Sequence, residues 1–168
     1  MTIDEAIAAI ERSAPDPTSG LPEDVFLLVS RITPLINVDL LIQDEHRGTL
    51  LTWRDDEHFH CGWHVPGGII RYKEPAADRI RKCAEEEIGA AVEFEPKPLL
   101  ITETIRSERT RGHFISMLYR CRLRTEPDAA RGAGEPPRRG EWKWHSRFPD
   151  DLIQVQRVYA PYFRIANP

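Results

Sequence analysis

Nowhere in this chain does an apolar run reach the ~18 residues that a membrane-spanning helix requires. The first residues also lack a basic start followed by a greasy segment, so no secretory signal is expected and a cytoplasmic protein is. Cysteine is scarce: there are three, scattered at 61, 83 and 121. An odd, dispersed set reads as reduced thiols rather than a disulfide framework. An excess of positive charge is missing too. The formal net charge is −4, which argues against a general nucleic-acid surface. What remains is 168 residues, the length of one domain with room for a sizeable core.

The stretch that organises the chain runs from Gly67 to Ala90, GGIIRYKEPAADRIRKCAEEEIGA. It reads as a glycine-rich turn, a short extended piece and a helix. Pro75 stands where a first helical residue needs no backbone donor. Ala77, Ile80, Ala84 and Ile88 recur at spacings of 3, 4 and 4, which gives one apolar face. Gly89 ends the helix where left-handed backbone costs glycine little. Asp78, Arg79, Lys82, Glu85, Glu86 and Glu87 fall on the remaining faces. Adjacent carboxylates repel one another, and these lie near a helix C-terminus, the unfavourable end for negative charge. Oxygen-rich clusters of this kind suit Mg²⁺ or Mn²⁺, ions that usually bridge to substrate phosphates. The Gly67-Gly68 pair lets backbone approach a ligand closely. A solvated acidic face beside a common strand-to-helix turn is the plainer alternative.

Spacing separates the two. Gly68, Glu74, Glu86, Glu87 and Gly89 occupy the fixed positions of G-x5-E-x7-R-E-U-x-E-E-x-G-U, where U is aliphatic, and the stretch resembles the Nudix box. Lys82 stands for the arginine, Cys83 for the first glutamate of the cluster, and Ala84 and Ala90 are weak aliphatics. The resemblance implies an α/β fold of the Nudix type, an α/β/α sandwich around a mixed sheet. It implies Mg²⁺-dependent hydrolysis of a nucleoside diphosphate derivative, with Gly67, Glu86 and Glu87 as metal ligands and Glu87 as a catalytic residue. Lys82 would hold phosphate or the carboxylates. A homodimer is also implied. Cys83 narrows the resemblance, because a neutral thiol is a poor ligand for a hard cation. The GDP-mannose mannosyl hydrolases are a branch that lacks this glutamate. They attack the sugar carbon rather than a phosphorus and release GDP.

The rest of the chain is arranged around that box. Residues 1–13 read as an amphipathic helix with Ile3, Ile7 and Ile10 on one stripe, expected to cap the domain. Pro15, Pro17, Ser19 and Gly20 then form a linker, so residues 1–20 are a leader and residues 21–168 the Nudix domain. A second helix is expected from Pro22 to about Arg31. Residues 33–54 read as a hairpin turning at Asp44 to Gly48. An aspartate inside that strand and an arginine ending the hairpin are similar to the mannosyl hydrolases. The resemblance implies that Asp39 reads the base and that Arg54 contacts the diphosphate, for which a guanidinium fork is suited. An unpaired carboxylate in an apolar strand is otherwise costly. His58, His60, Cys61 and His64 do not have the spacing of a structural zinc site. A loop over the substrate entrance, with Trp63 packed beneath the turn, is expected there.

After the box, residues 91–105 read as a strand, a break at Pro96–Pro98 and a second strand, followed by a polar turn from Ser107 to Gly112. Residues 113–123 alternate as a central strand should. Thr125 to Gly140 is rich in Pro, Gly and Arg and is expected to be a lid or a disordered segment. Residues 140–146 form the next strand, and the tail forms a closing helix.

One part of the resemblance fails. The mannosyl hydrolases carry a metal-holding glutamine and a histidine base just before the Trp144 strand, and Arg138 and Arg139 stand there. Arginine stays protonated and accepts no proton. The arginine that follows the glycines in that branch is replaced by Ile69. Glu135 or Glu141 from the same loop, or His113 from its strand, are the substitutes for the base. Arg138 and Arg139 would then neutralise phosphate. Two other readings stay open: a pyrophosphohydrolase cutting between phosphates, and a non-catalytic module that binds a nucleotide sugar.

Overall fold

The computed structural model describes residues 1–56 and 59–163, with Phe59 and His60 described by backbone alone, so the expectation for His58 lies outside the described residues. Two helices open the chain, α1 (Ile3–Ser13) and α2 (Glu23–Val29). Thr2 starts α1 with a capping box. Its hydroxyl accepts from the Glu5 N–H at 3.2 Å, and the Glu5 carboxylate accepts from the Thr2 N–H at 2.7 Å. Yet α1 buries no side chain, and Ile3, Ile7 and Ile10 are exposed. The expected capping of the domain by this helix does not occur.

The hairpin forms as β1 (Leu35–Asp44) and β2 (Gly48–Asp56). The segment expected as a loop over the entrance is instead a strand, β3 (Phe59–His64), paired antiparallel with β2. The glycines also differ from expectation. Gly67–Ile69 is a short strand, β4, antiparallel to β1, and the turn comes later, with Lys73 in the left-handed region at φ 57°. Helix α3 spans Ala76–Ile88, with Pro75 as its cap rather than its first residue and Gly89 left-handed at φ 64°. Strands β5 (Val92–Phe94), β6 (Leu100–Ile105), β7 (His113–Leu123) and β8 (Trp142–His145) complete the sheet. Its order is β3-β2-β1-β7-β5, with β4 on β1, β6 on β7 and β8 on β2. The β1–β7 pair is parallel and the other strand pairs are antiparallel, so the sheet is mixed.

Alternation along β1 divides the core. Val38, Leu40 and Ile42 face α3 and pack with Ile80, Cys83, Ala84 and Ile88. Leu41 faces the other way, into a cluster with Leu51, Trp63, Val65, Leu118, Leu152 and Tyr159. Each such aliphatic side chain contributes on the order of 1.5–3 kcal/mol by leaving water. Tyr159 belongs to the closing helix expected in the tail, which is the 3-10 segment Gln154–Tyr162. The segment 125–140 is neither disordered nor a detached lid. It contains a 3-10 turn at Ala129–Arg131, and the Asp128 N–H donates to the Ile88 carbonyl at 2.9 Å. Arg131 donates to the Glu86 carbonyl at 2.8 Å, supplying a partner for the bare end of α3.

Candidate active site

Spacing on α3 sets two faces. Ile80, Ala84 and Ile88 enter the core, while Arg79, Cys83, Glu86 and Glu87 turn toward β4 and β2. Glu87 is the fixed point. Its Oε2 accepts from the Thr52 hydroxyl at 2.9 Å and lies 3.5 Å from His64 Nε2. The Gly67 N–H donates to its Oε1 at 3.5 Å. Burial works against the charge of Glu87, but His64, Thr52 and Arg54 outweigh it and hold the carboxyl below its ordinary value. His64 is buried, and its Nδ1 lies 2.8 Å from the Thr52 carbonyl. Glu87 lies on the Nε2 side of the ring.

The other box residues form a second layer. Glu74, nearly buried, accepts from Lys82 Nζ at 2.9 Å and from the Arg71 N–H at 3.0 Å. Lys82 therefore holds a carboxylate in this structure. Arg79, which sequence reasoning left on a polar face, is buried between Glu74 (3.9 Å) and Glu86 (2.8 Å). Nothing in its position within the box distinguishes it from a surface arginine. Its role appears only when the helix docks. Cys83 points at Gly68, where an added Cβ would come within 2.6 Å of the sulfur. Burial pushes this thiol up to about 12, so it stays neutral.

Two cavities meet beside Glu87. One, of about 230 Å³, is lined by Asn37, Asp39, Gly67, Ser116 and Tyr159 among others. The other is a groove of about 490 Å³ lined by Glu86, Glu87, Arg131, Arg139 and Glu141 among others. Arg54 and His64 line both. Asp39, pointing away from α3, is nearly fully buried. It accepts from the Tyr159 hydroxyl at 2.6 Å and from the Asn37 amide at 3.1 Å. Burial raises its carboxyl to about 6 despite these partners, the nearby His64 and Arg54. Gly67 has to be glycine here, because a Cβ would meet Asp39 Oδ1 and the Val38 carbonyl at 2.5 Å.

Fold and site bring together Asp39, Arg54, Gly67, Glu86 and Glu87. Glu135 and His113 are placed elsewhere. Glu135 is exposed and pairs with Lys143 at 2.9 Å. His113 pairs with Glu103 at 3.0 Å at the start of β7. Neither is among the residues lining the two cavities. Glu141 does line the groove, but its Oε2 already accepts from the Gly134 and Arg138 N–H groups. His64, Thr52 and Tyr159 were missed as site residues. A histidine weighed only for zinc carried no sign that its strand would lay it against Glu87.

The donor set suits a hard divalent cation held lightly. Among the described residues, no three His, Cys, Asp or Glu side chains cluster as a preformed cage. Glu86 and Glu87 are adjacent oxygen donors on one groove, and Cys83 is turned away as a neutral thiol. Mg²⁺ is commonly bound by one or two carboxylates and completed by water and substrate phosphate.

Residues 33–159 match the family model for the NUDIX domain, and the chain belongs to the Nudix family. It is 36% identical over 84 residues to the low-salt glycan biosynthesis protein Agl8 of Haloferax volcanii, a match covering 50% of this chain and 53% of that protein. The chain thus spans about half the length of this curated relative. Two solved structures share the fold. One, described as a possible asymmetric diadenosine tetraphosphate hydrolase from Jonesia denitrificans DSM 20603, has 18% identity and a TM-score of 0.60, covering 82% of this chain and 99% of that one. A MutT Nudix hydrolase from Burkholderia pseudomallei has 20% identity and a TM-score of 0.59, covering 77% and 97%. No helix among the described residues is long and apolar enough to cross a membrane.

Proposed function

We propose that this enzyme hydrolyses a nucleoside diphosphate sugar in the manner of the GDP-mannose mannosyl hydrolases, with water attacking the sugar carbon and the nucleoside diphosphate leaving. The observation that carries this reading is the junction of the two cavities at Arg54 and His64. The inner cavity has a buried carboxylate, Asp39, to accept from the N–H edge of a base. Arg54 stands between it and the groove, where a diphosphate would lie. Glu86 and Glu87, with the Gly67 carbonyl, would hold Mg²⁺ or Mn²⁺. When bound there, such an ion would neutralise charge on the leaving diphosphate. The groove offers one carboxylate–imidazole pair, Glu87 and His64, and proton acceptance from the attacking water is assigned to it. Thr52 fixes the Glu87 carboxylate in place through its hydroxyl. Cys83 also supports attack at carbon, since a site with fewer carboxylates is poorly equipped to hold several ions around a phosphorus. The curated relative's name, which refers to glycan biosynthesis, is in keeping with a nucleotide-sugar substrate.

Arg139 favours a second reading. It lines the groove where the mannosyl hydrolases place their base, and a guanidinium there suits a module that binds a nucleotide sugar without cleaving it, or cleavage between phosphates. Incubation with GDP-mannose and Mg²⁺ in ¹⁸O-labelled water separates the three. GDP with labelled free mannose is the expected result. GMP with mannose 1-phosphate would establish phosphorus attack, and saturable binding without turnover would establish the binding module.

A further inference from the structure

Arg79, Cys83 and Glu86 stand at spacings of 4 and 3, which puts them on one face of α3. Arg79 is the buried cation of that face, 4% exposed, and a charge so placed needs a partner. The short Cys83 side chain leaves its guanidinium room to reach one turn further, to Glu86. There Nη2 donates to Oε2 at 2.8 Å. Gly68 lies over the pair, since a Cβ added to it would come within 2.6 Å of the Cys83 sulfur and 3.8 Å of Arg79 Nε. Glu74 is a more distant carboxylate, 3.9 Å from Nε. It already accepts from Lys82 at 2.9 Å and from the Arg71 N–H at 3.0 Å. Two of the box glutamates are thereby matched by cations of the helix, Glu74 by Lys82 and Glu86 by Arg79. Glu86 lines the groove, whereas Arg79 is not among its lining residues and meets Glu86 from the buried side. A guanidinium does not deprotonate in a protein, so this charge is fixed.

We propose that Arg79 is a built-in cation of the site. By neutralising Glu86 from the buried side it limits the box to one divalent ion, held by Glu87, the Gly67 carbonyl and the remaining oxygen of Glu86. This rests on the metal-dependent reading above and deepens it. Net negative charge attracts a divalent ion, and a fixed positive charge beside one of its ligands weakens that attraction. A merely structural role has the opposite sign. If Arg79 did no more than hold Glu86 in place, its loss would slacken a ligand and weaken metal binding.

Titration with Mn²⁺, followed by the electron paramagnetic resonance signal of the free ion, tests this on wild-type protein, Arg79→Met and Arg79→Lys, with a melting curve on each. Arg79→Met keeps a long stem beneath Gly68 and removes the charge. It strands no buried carboxylate, because Glu86 is more than half exposed and Glu74 keeps Lys82. Arg79→Gln is the second neutral variant should the first not fold. The expected result is one ion per wild-type chain. The neutral variants should bind the first ion about tenfold more tightly or take up a second, while Arg79→Lys, which keeps the charge, stays nearer wild type. A folded neutral variant that binds one ion with equal or weaker affinity would overturn the assignment and leave the proposed function intact. Two or more ions on the wild-type chain would overturn it whether or not the variants fold. Tighter binding in the neutral variants, with no hydrolysis of GDP-mannose by wild type, would support Arg79 and remove the nucleotide-sugar reading. Wild-type protein that binds no Mn²⁺ would overturn both.

Discussion

At the scale of single residues, two carboxylates flanking the two cavities behave oppositely. Glu87 is kept ionised because His64, Thr52 and Arg54 act on it together, overcoming the cost of burial. Its replacement by Gln keeps shape and removes charge. Glu87→Gln should lower kcat by about 10²–10⁴-fold while leaving the affinity for GDP in the absence of divalent metal nearly unchanged, measured by steady-state turnover and calorimetry. Asp39 is the reverse case, since burial raises it to about 6 from an ordinary 3.8. Below about pH 4 it is neutral in the folded and unfolded chains and has no effect on stability. As pH rises from 4 to 6 the unfolded chain ionises first, so stability falls. Above 6 the deficit is constant, on the order of 3 kcal/mol for a shift of this size. Asp39→Asn, which still accepts from Tyr159, should therefore melt higher than wild type at pH 7–8, with the difference shrinking toward pH 4. A difference that stays flat across that range would refute the burial argument. The same variant should lose nucleotide affinity.

At the scale of elements, α3 and β4 form one unit because neither Gly67 nor Gly68 has room for a side chain. The obstacles differ. At Gly67 the nearest atoms are a buried carboxylate and backbone, while at Gly68 the nearest is the Cys83 sulfur. Gly68→Ala should cost about 1–3 kcal/mol in urea unfolding. Adding Cys83→Ala should return part of that loss, because the second change removes the atom in the way. If the double variant is simply the sum of its parts, the steric account of Cys83 is wrong. The contact also explains why a cysteine serves at a position where a glutamate would otherwise stand. Its small apolar side chain fills the space under β4 and packs with Ile80, Ala84 and the β1 residues. That packing turns the Cys83 side chain from the groove, where the carboxylates that α3 presents are Glu86 and Glu87.

At the scale of the molecule, the sheet divides the protein into a core against α3 and a core against the closing 3-10 helix, and the site lies where the second core opens. Helix α1 takes part in neither. Its capping box and amphipathic stripe are local features, and its isoleucines remain exposed. The family match begins only at residue 33. Removing residues 1–20 should therefore leave the melting temperature within about 2 °C of wild type, since a side chain that is not buried contributes little to folding. A larger fall would mean that α1 packs more tightly in solution than its exposure indicates.

Much of this was written into the sequence. The box spacing announced the α3 helix, its left-handed glycine stop and the glutamates, because those depend on residues within a few turns of one another. The alternation that marks β7 and the turn residues of the β1–β2 hairpin are local in the same sense. Asp39 and Arg54 were candidates by resemblance alone, and both line one cavity. Other features were beyond reach because their causes are long-range. Arg79 is buried only because α3 docks with Glu74 and Glu86 on either side of it. His64 reaches Glu87 only because β3 pairs with β2, and Tyr159 meets Asp39 across 120 residues of chain. The proline- and arginine-rich segment is ordered because it covers the end of α3, a partner its own composition does not reveal. The sequence by itself determined the helix of the box and the family to which the chain belongs. Which charges that helix would be surrounded by was decided in the tertiary structure, because a carboxylate's charge state depends on the dielectric and the partners that folding brings to it.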